Sequence, residues 1–498
     1  MKRLLKTRLM NMQVKTVLLL CLACSVGIVL AYEWIPMWKM DTHNDGVMAR
    51  NVSVTPEPEI TDYNLHWRHK DGVFVKRVKS VVEQKHAHDD VVSSLDVDTM
   101  DCDGRKSGGA RGEEFTEIGP EVFVYSVFFD DRPRQRFIRM IATYKYGKDR
   151  DVLNRFYCLF ENDVTYNSTS YISTNISFYE MCENHRKPFG GWILSCPVPQ
   201  ELKSIPLFIR VYQGGLKVNG IAPSIKLCVK SYAKNVETRK LSFGVCVPPI
   251  FGDVRPKDVI EFIELNRLLG AEKILIYYEV SDHSVSSSVL RVLRYYQSMN
   301  VVHLMTWGLP FDDKNVWYHG QSLAINDCLY RHMNDFHHIA FIDLDEIIVP
   351  KGDSQTWNDV MTNLKTTYGK KFTDASAFSF KTAFFSPEFS RHVYSNELGT
   401  VVRTNRTLHF SYRRHKLIVR PERIFELGIH HVSRSWPDDI QHENLVVPKE
   451  IAFIHHYRAC VQEFGIHCNM RLQDFGLANL YGTQLNYNVL KIMSSIPN

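Results

Sequence analysis

The sequence lacks the short motifs that mark several large classes of enzyme. It has no Gly-x-x-x-x-Gly-Lys-Ser/Thr phosphate loop and no Gly-x-Gly-x-x-Gly after the first predicted α/β strand, so neither a kinase nor a dehydrogenase is indicated. It also lacks the Gly-x-Ser-x-Gly elbow of serine hydrolases and the His-Glu-x-x-His spacing of zinc hydrolases. The formal net charge is only +5, which argues against a dedicated nucleic-acid-binding protein.

The cysteine pattern is typical of a protein in an oxidising compartment rather than of a zinc protein. None of the nine cysteines after residue 32 forms a Cys-x-x-Cys pair: Cys102, Cys158, Cys182, Cys196, Cys228, Cys246, Cys328, Cys460 and Cys468. We expect some of them to form disulfides, with one left over. Four Asn-x-Ser/Thr sequons are candidate glycan sites in such a compartment: Asn51, Asn167, Asn175 and Asn405.

The N-terminus predicts a membrane anchor. Basic residues and no acidic ones occupy the first 15 positions, and residues 16–32 then carry no charge. That length is close to the minimum for a transmembrane helix, and the basic flank predicts a cytosolic N-terminus. We therefore expect a cytosolic tail (1–15) and a signal anchor (16–37). A cleaved signal peptide is the alternative, because Val29 and Ala31 fit a small-residue cleavage site.

Composition divides the rest of the chain into four parts. A polar, irregular stretch (38–119) is predicted to be a flexible stem. Short β-rich runs separated by turn residues predict a small all-β accessory domain (120–240). Alternating strand and helix patterns then predict an α/β domain (241–475), and the end of the chain (476–498) is expected to be a peripheral tail. Repeated strand–helix units favour a mostly parallel sheet with helices on both faces.

The fourth strand of this α/β pattern ends in a cluster of carboxylates. Asp343 and Asp345 follow the run Ile339–Ile342, and alternation along a strand would point both side chains the same way. Paired carboxylates repel unless a cation lies between them, which suits Mg²⁺ or Mn²⁺. Ligands of such sheets bind beyond the carboxyl ends of the strands. The alternative interpretation is a solvated turn between two buried strands.

Several later residues are candidates for the same site. Arg420 and Arg458 can bind a diphosphate bidentately. Two His-His pairs, at 430–431 and 455–456, can complete a metal site. Glu388 and Glu397 are the candidate catalytic bases, although both can equally be exposed loop residues.

Five segments together resemble glycosyltransferase family 92: CVPPIFG (246–252), GQSLAINDCLYR (320–331), FIDLDEIIVP (341–350), KLIVRPERIFELGIHHV (416–432) and HHYR (455–458). The resemblance implies a single-pass type II Golgi membrane protein with a lumenal GT-A nucleotide-sugar domain. It also implies transfer of galactose from UDP-galactose, with Mn²⁺ (or Mg²⁺) as cofactor and with inversion, onto a glycan acceptor such as fucose of an N-glycan core.

The same resemblance implies roles for individual residues. Asp343 would face the ribose and the metal, and Asp345 would bind the metal directly. His430 or His431 would be the late metal ligand. Gln321 and Asp327 would line the donor pocket, with helix packing as the alternative role for both.

Two other functions remain as alternatives at this point. A non-catalytic lumenal lectin would need no Asp-x-Asp motif. A haloacid-dehalogenase-type phosphatase also has Asp-x-Asp at a strand end, but such enzymes have Thr or Val where this chain has Ile347.

Overall fold

The computed structural model describes residues 114–132, 135–145, 155–162, 170–214, 224–231, 241–280, 284–437 and 443–496. In these ranges no helix is long and apolar enough to cross a membrane. The predicted tail (1–15), the predicted anchor (16–37) and nearly all of the predicted stem (38–119) lie outside the described residues.

The β-rich part forms two antiparallel sheets. Its described strands are β1 (Thr116–Gly119), β2 (Val122–Asp130), β3 (Phe137–Lys145), β4 (Phe156–Asn162), β5 (Ser170–Asn175), β6 (Ser177–Glu180), β7 (Phe189–Pro197), β8 (Phe208–Gln213) and β9 (Ser224–Cys228). One sheet has the order β1-β2-β3-β7-β6 and the other the order β5-β4-β8-β9. An apolar core lies between them, and a disulfide between Cys158 and Cys196 joins β4 to β7 inside it.

The α/β part begins at β10. Its described strands and helices are β10 (Phe243–Ile250), α1 (Pro256–Leu268), β11 (Lys273–Glu279), α2 (Ser287–Ser298), β12 (Val302–Trp307), α3 (Gln321–His332), β13 (His338–Phe341), β14 (Glu346–Pro350), α4 (Trp357–Tyr368), α5 (Lys370–Asp374), β15 (Ala377–Phe384), α6 (Gly399–Val402), β16 (Asn405–Thr407), β17 (Ser411–Val419), β18 (Ile424–Leu427), β19 (Val432–Ser435), β20 (Asn444–Val446), β21 (Ala452–His456), β22 (Arg471–Gln473) and α7 (Gly476–Ser495).

The main sheet of this part is mixed rather than mostly parallel. Its order is β12-β11-β10-β13-β17-β15-β21-β14, with β20 beside β15. The first four strands are parallel, as the strand–helix alternation predicts. Beyond them β17 runs antiparallel to both β13 and β15, and β14 runs antiparallel to β21. Apart from β14 itself (Glu346–Pro350), the strands that enter these antiparallel pairs beyond β13 come from the stretch after Pro350, where the regular strand–helix alternation ends.

Side-chain alternation along β10 divides the α/β part into two cores. Val245 and Val247 face the core that contains α1, α2, α4 and α7, whereas Cys246 faces α3 and the β-rich part. Helices therefore cover both faces, as predicted, but only α3 separates the main sheet from the five-stranded sheet.

The last helix corrects the expectation of a peripheral tail. Residues 476–495 form α7, whose Leu477, Leu485 and Val489 are buried in the same core as α1. The sequence of this helix is rich in uncharged polar residues, and this composition hides the apolar stripe that packs inward.

Disulfides join several of the cysteines, as expected from the sequence. Besides Cys158–Cys196, the pairs are Cys246–Cys328 and Cys460–Cys468, and Cys228 is bonded as well. Among the described residues Cys182 is the free cysteine, in agreement with the expectation of one left over.

Helix α3 is buried along its whole length between the two sheets. The amide of Asn326 donates to the carbonyl of Leu427 and accepts from its N–H, both at 2.9 Å. The disulfide from Cys328 ties the helix to Cys246 of β10. The helix thus fixes the main sheet, the β-rich part and the end of β18 relative to one another.

Asp327 has a structural role in this helix, which corrects its assignment to the donor pocket. Its carboxylate is fully buried and accepts two 2.8 Å hydrogen bonds from Arg331. The hydroxyls of Ser126 in β2 and Tyr277 in β11 donate to it as well. Burial would raise the pKa of Asp327, but the charge of Arg331 outweighs burial and lowers it.

We predict that Asp327→Ala destabilises the folded protein by about 3–5 kcal/mol, because Arg331 would keep a buried charge without its partner. Chemical denaturation of the purified protein measures this change. The matched control is Asp258→Ala, which breaks an exposed ion pair with Arg255 and should cost less than about 1 kcal/mol. Equal losses in the two variants would contradict the structural role of Asp327.

Candidate active site at the acidic turn after β13

The acidic stretch forms a turn at the carboxyl end of β13. Ile342 is buried, Asp343 to Asp345 make the turn, and Glu346 begins β14. The Asp343 N–H donates to the Glu346 carboxylate at 3.0 Å, and the Glu346 N–H donates to the Asp343 carbonyl at 3.1 Å. The two aspartates are therefore ordered by a turn rather than by alternation along one strand, although the turn lies at the predicted edge of the sheet.

Strand register brings two basic side chains to this turn. Phe341 pairs with Leu417 of β17, so the preceding residue, Lys416, reaches the turn. Glu346 pairs with His456 of β21, which brings that ring against the carboxylates from the other side. Both partners come from strands more than 70 residues further along the chain.

Lys416 neutralises the inner part of the turn. Its Nζ lies 2.9 Å from Asp343 Oδ2 and 3.3 Å from Glu346 Oε2, and its side chain is only 4% exposed. Burial would lower the pKa of Lys416, but these two carboxylates raise it above its usual value. Gln321, at the first position of α3, donates to Asp343 Oδ1 at 3.1 Å. The structure thus places Gln321 beside Asp343, with both oxygens of that aspartate bonded.

Asp345 lies on the outer side of the turn, next to the ring of His456 from β21. The His456 ring nitrogens lie 3.4 Å from Asp345 Oδ2 and 3.3 Å from Glu346 Oε1. Neither nitrogen makes a hydrogen bond to any residue in the described ranges, although the side chain is only 4% exposed. Asp345 is 42% exposed, and the ring of Phe384 stacks on His456 with centroids 5.0 Å apart. A half-exposed carboxylate beside a buried imidazole without hydrogen bonds is suited to bind a divalent cation.

The pKa of Asp345 agrees with an ionised ligand. Partial burial would raise this pKa, but His456 and Arg458 outweigh it and lower it below its usual value. Arg458 therefore lies within electrostatic range of the turn, as expected for a residue that binds the diphosphate.

An aromatic rim borders the turn. Tyr318 is 51% exposed. Burial of the rest of its side chain raises the pKa of Tyr318, and the negative charges of Asp343 and Asp345 raise it further. Its ring meets Phe251, which follows β10, edge-on at 5.8 Å, and the ring of His319 stacks on Phe251 at 3.6 Å. Flat apolar surfaces of this kind bind sugar or base rings.

The rim contains a second group of possible metal ligands that we did not predict from the sequence. His319 Nδ1 lies 2.8 Å from Glu279 Oε2 and 3.4 Å from Asp313 Oδ2. Glu279 is the last residue of β11, so the rule that ligands bind at the carboxyl ends of strands could have identified it. Contacts between this histidine ring and the two carboxylates also account for the cluster without a metal.

The predicted late histidines lie in a segment that borders the turn, but in the described ranges they bond to other residues and not to its carboxylates. His430 donates from Nδ1 to the His415 carbonyl at 2.8 Å, and Arg414 lies 3.1 Å from its Nε2. Burial, with Lys416 nearby, lowers the pKa of His430 to about 2. His431 lies near Cys182 instead, with 3.7 Å between Nε2 and Sγ. In the described part of the chain, His456 is the histidine that adjoins the acidic turn.

Arg420 lies at the opposite end of β13, which corrects its assignment to the donor pocket. The neighbouring Val419 pairs with Ile339 near the start of β13. The Arg420 guanidinium donates to the carbonyls of Phe372 and Ala375 at 2.8 and 2.7 Å. It lines a cavity of about 400 Å³ that does not include the acidic turn.

The two candidate bases are also separate from the turn. Glu388 is exposed on a short 3-10 turn after β15. Glu397 accepts hydrogen bonds from Arg391 at 2.6 and 2.8 Å, and this partner lowers its pKa to about 2. Within the described ranges neither carboxylate contacts Asp343 or Asp345.

Two of the predicted glycan sites are visible. Asn175 is exposed at the end of β5, whereas the Asn405 amide donates to the Phe389 carbonyl at 2.9 Å. A glycan on Asn405 would replace one of the two hydrogens on the nitrogen that donates this bond. Asn51 and Asn167 lie outside the described residues.

Comparison with known proteins shows the family to which the sequence is similar. The model of glycosyltransferase family 92 matches residues 242–489, which include the acidic turn, Lys416 and His456. Beta-1,4-galactosyltransferase galt-1 of Caenorhabditis elegans is 29% identical over 346 residues, which cover 66% of this chain and 72% of that protein. Glycosyltransferase family 92 protein F13G3.3 of the same organism is 24% identical over 204 residues, 36% of this chain and 40% of that protein.

Among solved structures, the apo form of the bifunctional glycosyltransferase WbbM aligns with 31% of this chain and 27% of its own, at 14% identity and a TM-score of 0.17. The family match covers nearly all of the α/β part, and the galt-1 match extends over two-thirds of the chain. This chain belongs to glycosyltransferase family 92 and is a glycosyltransferase.

Proposed function

We propose that this glycosyltransferase moves galactose from UDP-galactose to a hydroxyl of a glycan, with inversion, and that Mn²⁺ (or Mg²⁺) is its cofactor. The printed name of the galt-1 relative supports the choice of sugar. The observation that carries the cofactor is His456, whose buried ring nitrogens make no hydrogen bond in the described ranges although two carboxylates adjoin them.

Asp345 and His456 would bind the cation, while Lys416 and Gln321 keep Asp343 in place beside them. A bound divalent cation would neutralise the diphosphate as the bond between sugar and phosphate breaks. Arg458 adds positive charge on the same side of the turn.

The acceptor and the compartment belong to the same proposal. Fucose of an N-glycan core is the acceptor implied by the family resemblance, and the reaction would take place in the Golgi lumen. The basic N-terminus before the uncharged residues 16–32 supports a single-pass type II orientation. The disulfides at Cys158–Cys196 and Cys460–Cys468 support an oxidising compartment.

A donor screen tests the proposed function. The lumenal fragment should hydrolyse or transfer from UDP-galactose faster than from UDP-glucose, UDP-N-acetylglucosamine or UDP-N-acetylgalactosamine, because the pocket would select one hexose. EDTA should abolish turnover and Mn²⁺ should restore it. A glycan array read with the preferred donor then identifies the acceptor. Binding of glycans without turnover of any donor would favour the lectin alternative instead.

We predict that Asp345→Asn and His456→Ala each weaken Mn²⁺-dependent binding of UDP by at least about 100-fold, since even the loss of a group that only supports a metal ligand costs 10–100-fold. Isothermal titration calorimetry with MnCl₂ and UDP measures the binding.

His392→Ala and Asp353→Asn are matched controls for this titration, because both residues are exposed, His392 is distant in sequence from the turn, and Asp353 lies beyond the opposite end of β14. They should bind as the wild type does. Wild-type affinity in the Asp345 and His456 variants would show that these residues do not bind the cation.

A further inference from the structure

The β-rich part contributes a loop to the candidate active site. This loop joins β6 to β7 at residues 181–188 and lies outside the family match at 242–489. On one side, the ring of His185 stacks on Trp317 at 4.1 Å, and Lys187 Nζ donates to the Lys314 carbonyl at 3.2 Å. On the other side, Glu183 Oε2 accepts a 2.6 Å hydrogen bond from the Ile429 N–H.

The two segments that this loop contacts are those that border the acidic turn. Trp317 directly precedes Tyr318, whose pKa is influenced by Asp343 and Asp345. On the other side, His430 donates to the carbonyl of His415, the neighbour of the lysine that binds Asp343. The loop therefore lies across one side of the site and contacts both of its borders.

Backbone conformation also indicates a functional role for this border. His185 and Arg186 have φ values of 52° and 58°, and Tyr318 and His319 have φ values of 43° and 54°. Left-handed backbone at residues other than glycine costs of the order of 1 kcal/mol or more per residue and concentrates at functional sites. The ring stack between His185 and Trp317 joins these two strained segments.

Glu183 is the carboxylate that this loop presents. One of its oxygens is anchored by the Ile429 N–H, and in the described part of the chain Oε1 has no hydrogen-bond partner and no lysine or arginine forms an ion pair with it. Burial raises the pKa of Glu183, partly offset by that N–H and by the nearby His431 and Lys416. A carboxylate with one anchored oxygen, one free oxygen and a raised pKa is a better proton acceptor than an ordinary surface glutamate.

The other carboxylates of the site already have bonding partners or a proposed role. Both oxygens of Asp343 are bonded, Glu346 is buried beneath Lys416, and Asp345 faces the proposed cation. At the rim, Glu279 and Asp313 adjoin His319, and Glu397, which lies away from the turn, is paired with Arg391.

We propose that Glu183 is the catalytic base of this glycosyltransferase, an inference that depends on the proposed function. The acceptor oxygen forms the new bond to the anomeric carbon while the bond from that carbon to the diphosphate oxygen breaks. The electron pair of the broken bond stays on the diphosphate, and the proton of the acceptor hydroxyl passes to Glu183 Oε1. The β-rich part would thus supply a reacting group as well as a wall of the acceptor site.

The test compares Glu183→Gln with the wild type on two kinds of acceptor. Methyl α-fucoside and water, the latter as donor hydrolysis, must lose a proton, whereas azide ion needs no base. We expect the variant to lose about 10²–10⁴-fold in transfer to the hydroxyl acceptors, to retain transfer to azide, and to bind UDP with Mn²⁺ as the wild type does. Glu201→Gln, an exposed glutamate of the same β-rich part, is the matched control and should behave as the wild type.

The outcomes separate this inference from the function on which it depends. Wild-type transfer to hydroxyl acceptors by Glu183→Gln would overturn the assignment of the base and leave the transferase intact. Loss of azide transfer together with hydroxyl transfer would also overturn it, because a missing base cannot explain the loss of azide transfer. A wild-type protein that neither binds UDP nor turns over any donor would contradict the proposed function itself.

Discussion

The site depends on a single buried lysine that compensates two of the three carboxylates in one short turn. Lys416 lies between Asp343 and Glu346, and removal of one partner of a buried ion pair costs about 3–5 kcal/mol. Because Lys416 compensates the two inner carboxylates, Asp345 can face outward next to His456, where its negative charge is available to a cation. The protein itself thus compensates the two inner carboxylates, Asp343 and Glu346, and leaves the outer one, Asp345, for a cation.

That arrangement requires strands that are distant in sequence. Lys416 arrives on β17, which runs antiparallel to β13, and His456 arrives on β21, which pairs with β14. Helix α3 supplies Gln321 at the turn and is fixed at its middle by the buried pair of Asp327 and Arg331. Because the other side of α3 packs on the five-stranded sheet, the β-rich part supports the geometry of the site as well as bordering it.

Local patterns predicted the parallel half of the sheet and the position of the acidic turn, because strand–helix alternation and apolar runs are properties of neighbouring residues. They did not predict which residues complete the site. His430 and His456 occupy similar His-His pairs, and only the register of β21 against Glu346 selects the second. Arg420 directly follows β17. Because β17 runs antiparallel to β13, Arg420 lies at the end of β13 opposite to the acidic turn. The prediction of a peripheral tail was wrong because the side chains that α7 buries form only a narrow stripe along the helix.

The most direct test of the account is crystallographic. Crystals of the protein grown with MnCl₂ and UDP should show one anomalous peak at the manganese edge within bonding distance of Asp345 and His456, with Asp343 still bound to Lys416. A manganese peak at Glu279, Asp313 and His319, with none at the turn after β13, would contradict the account.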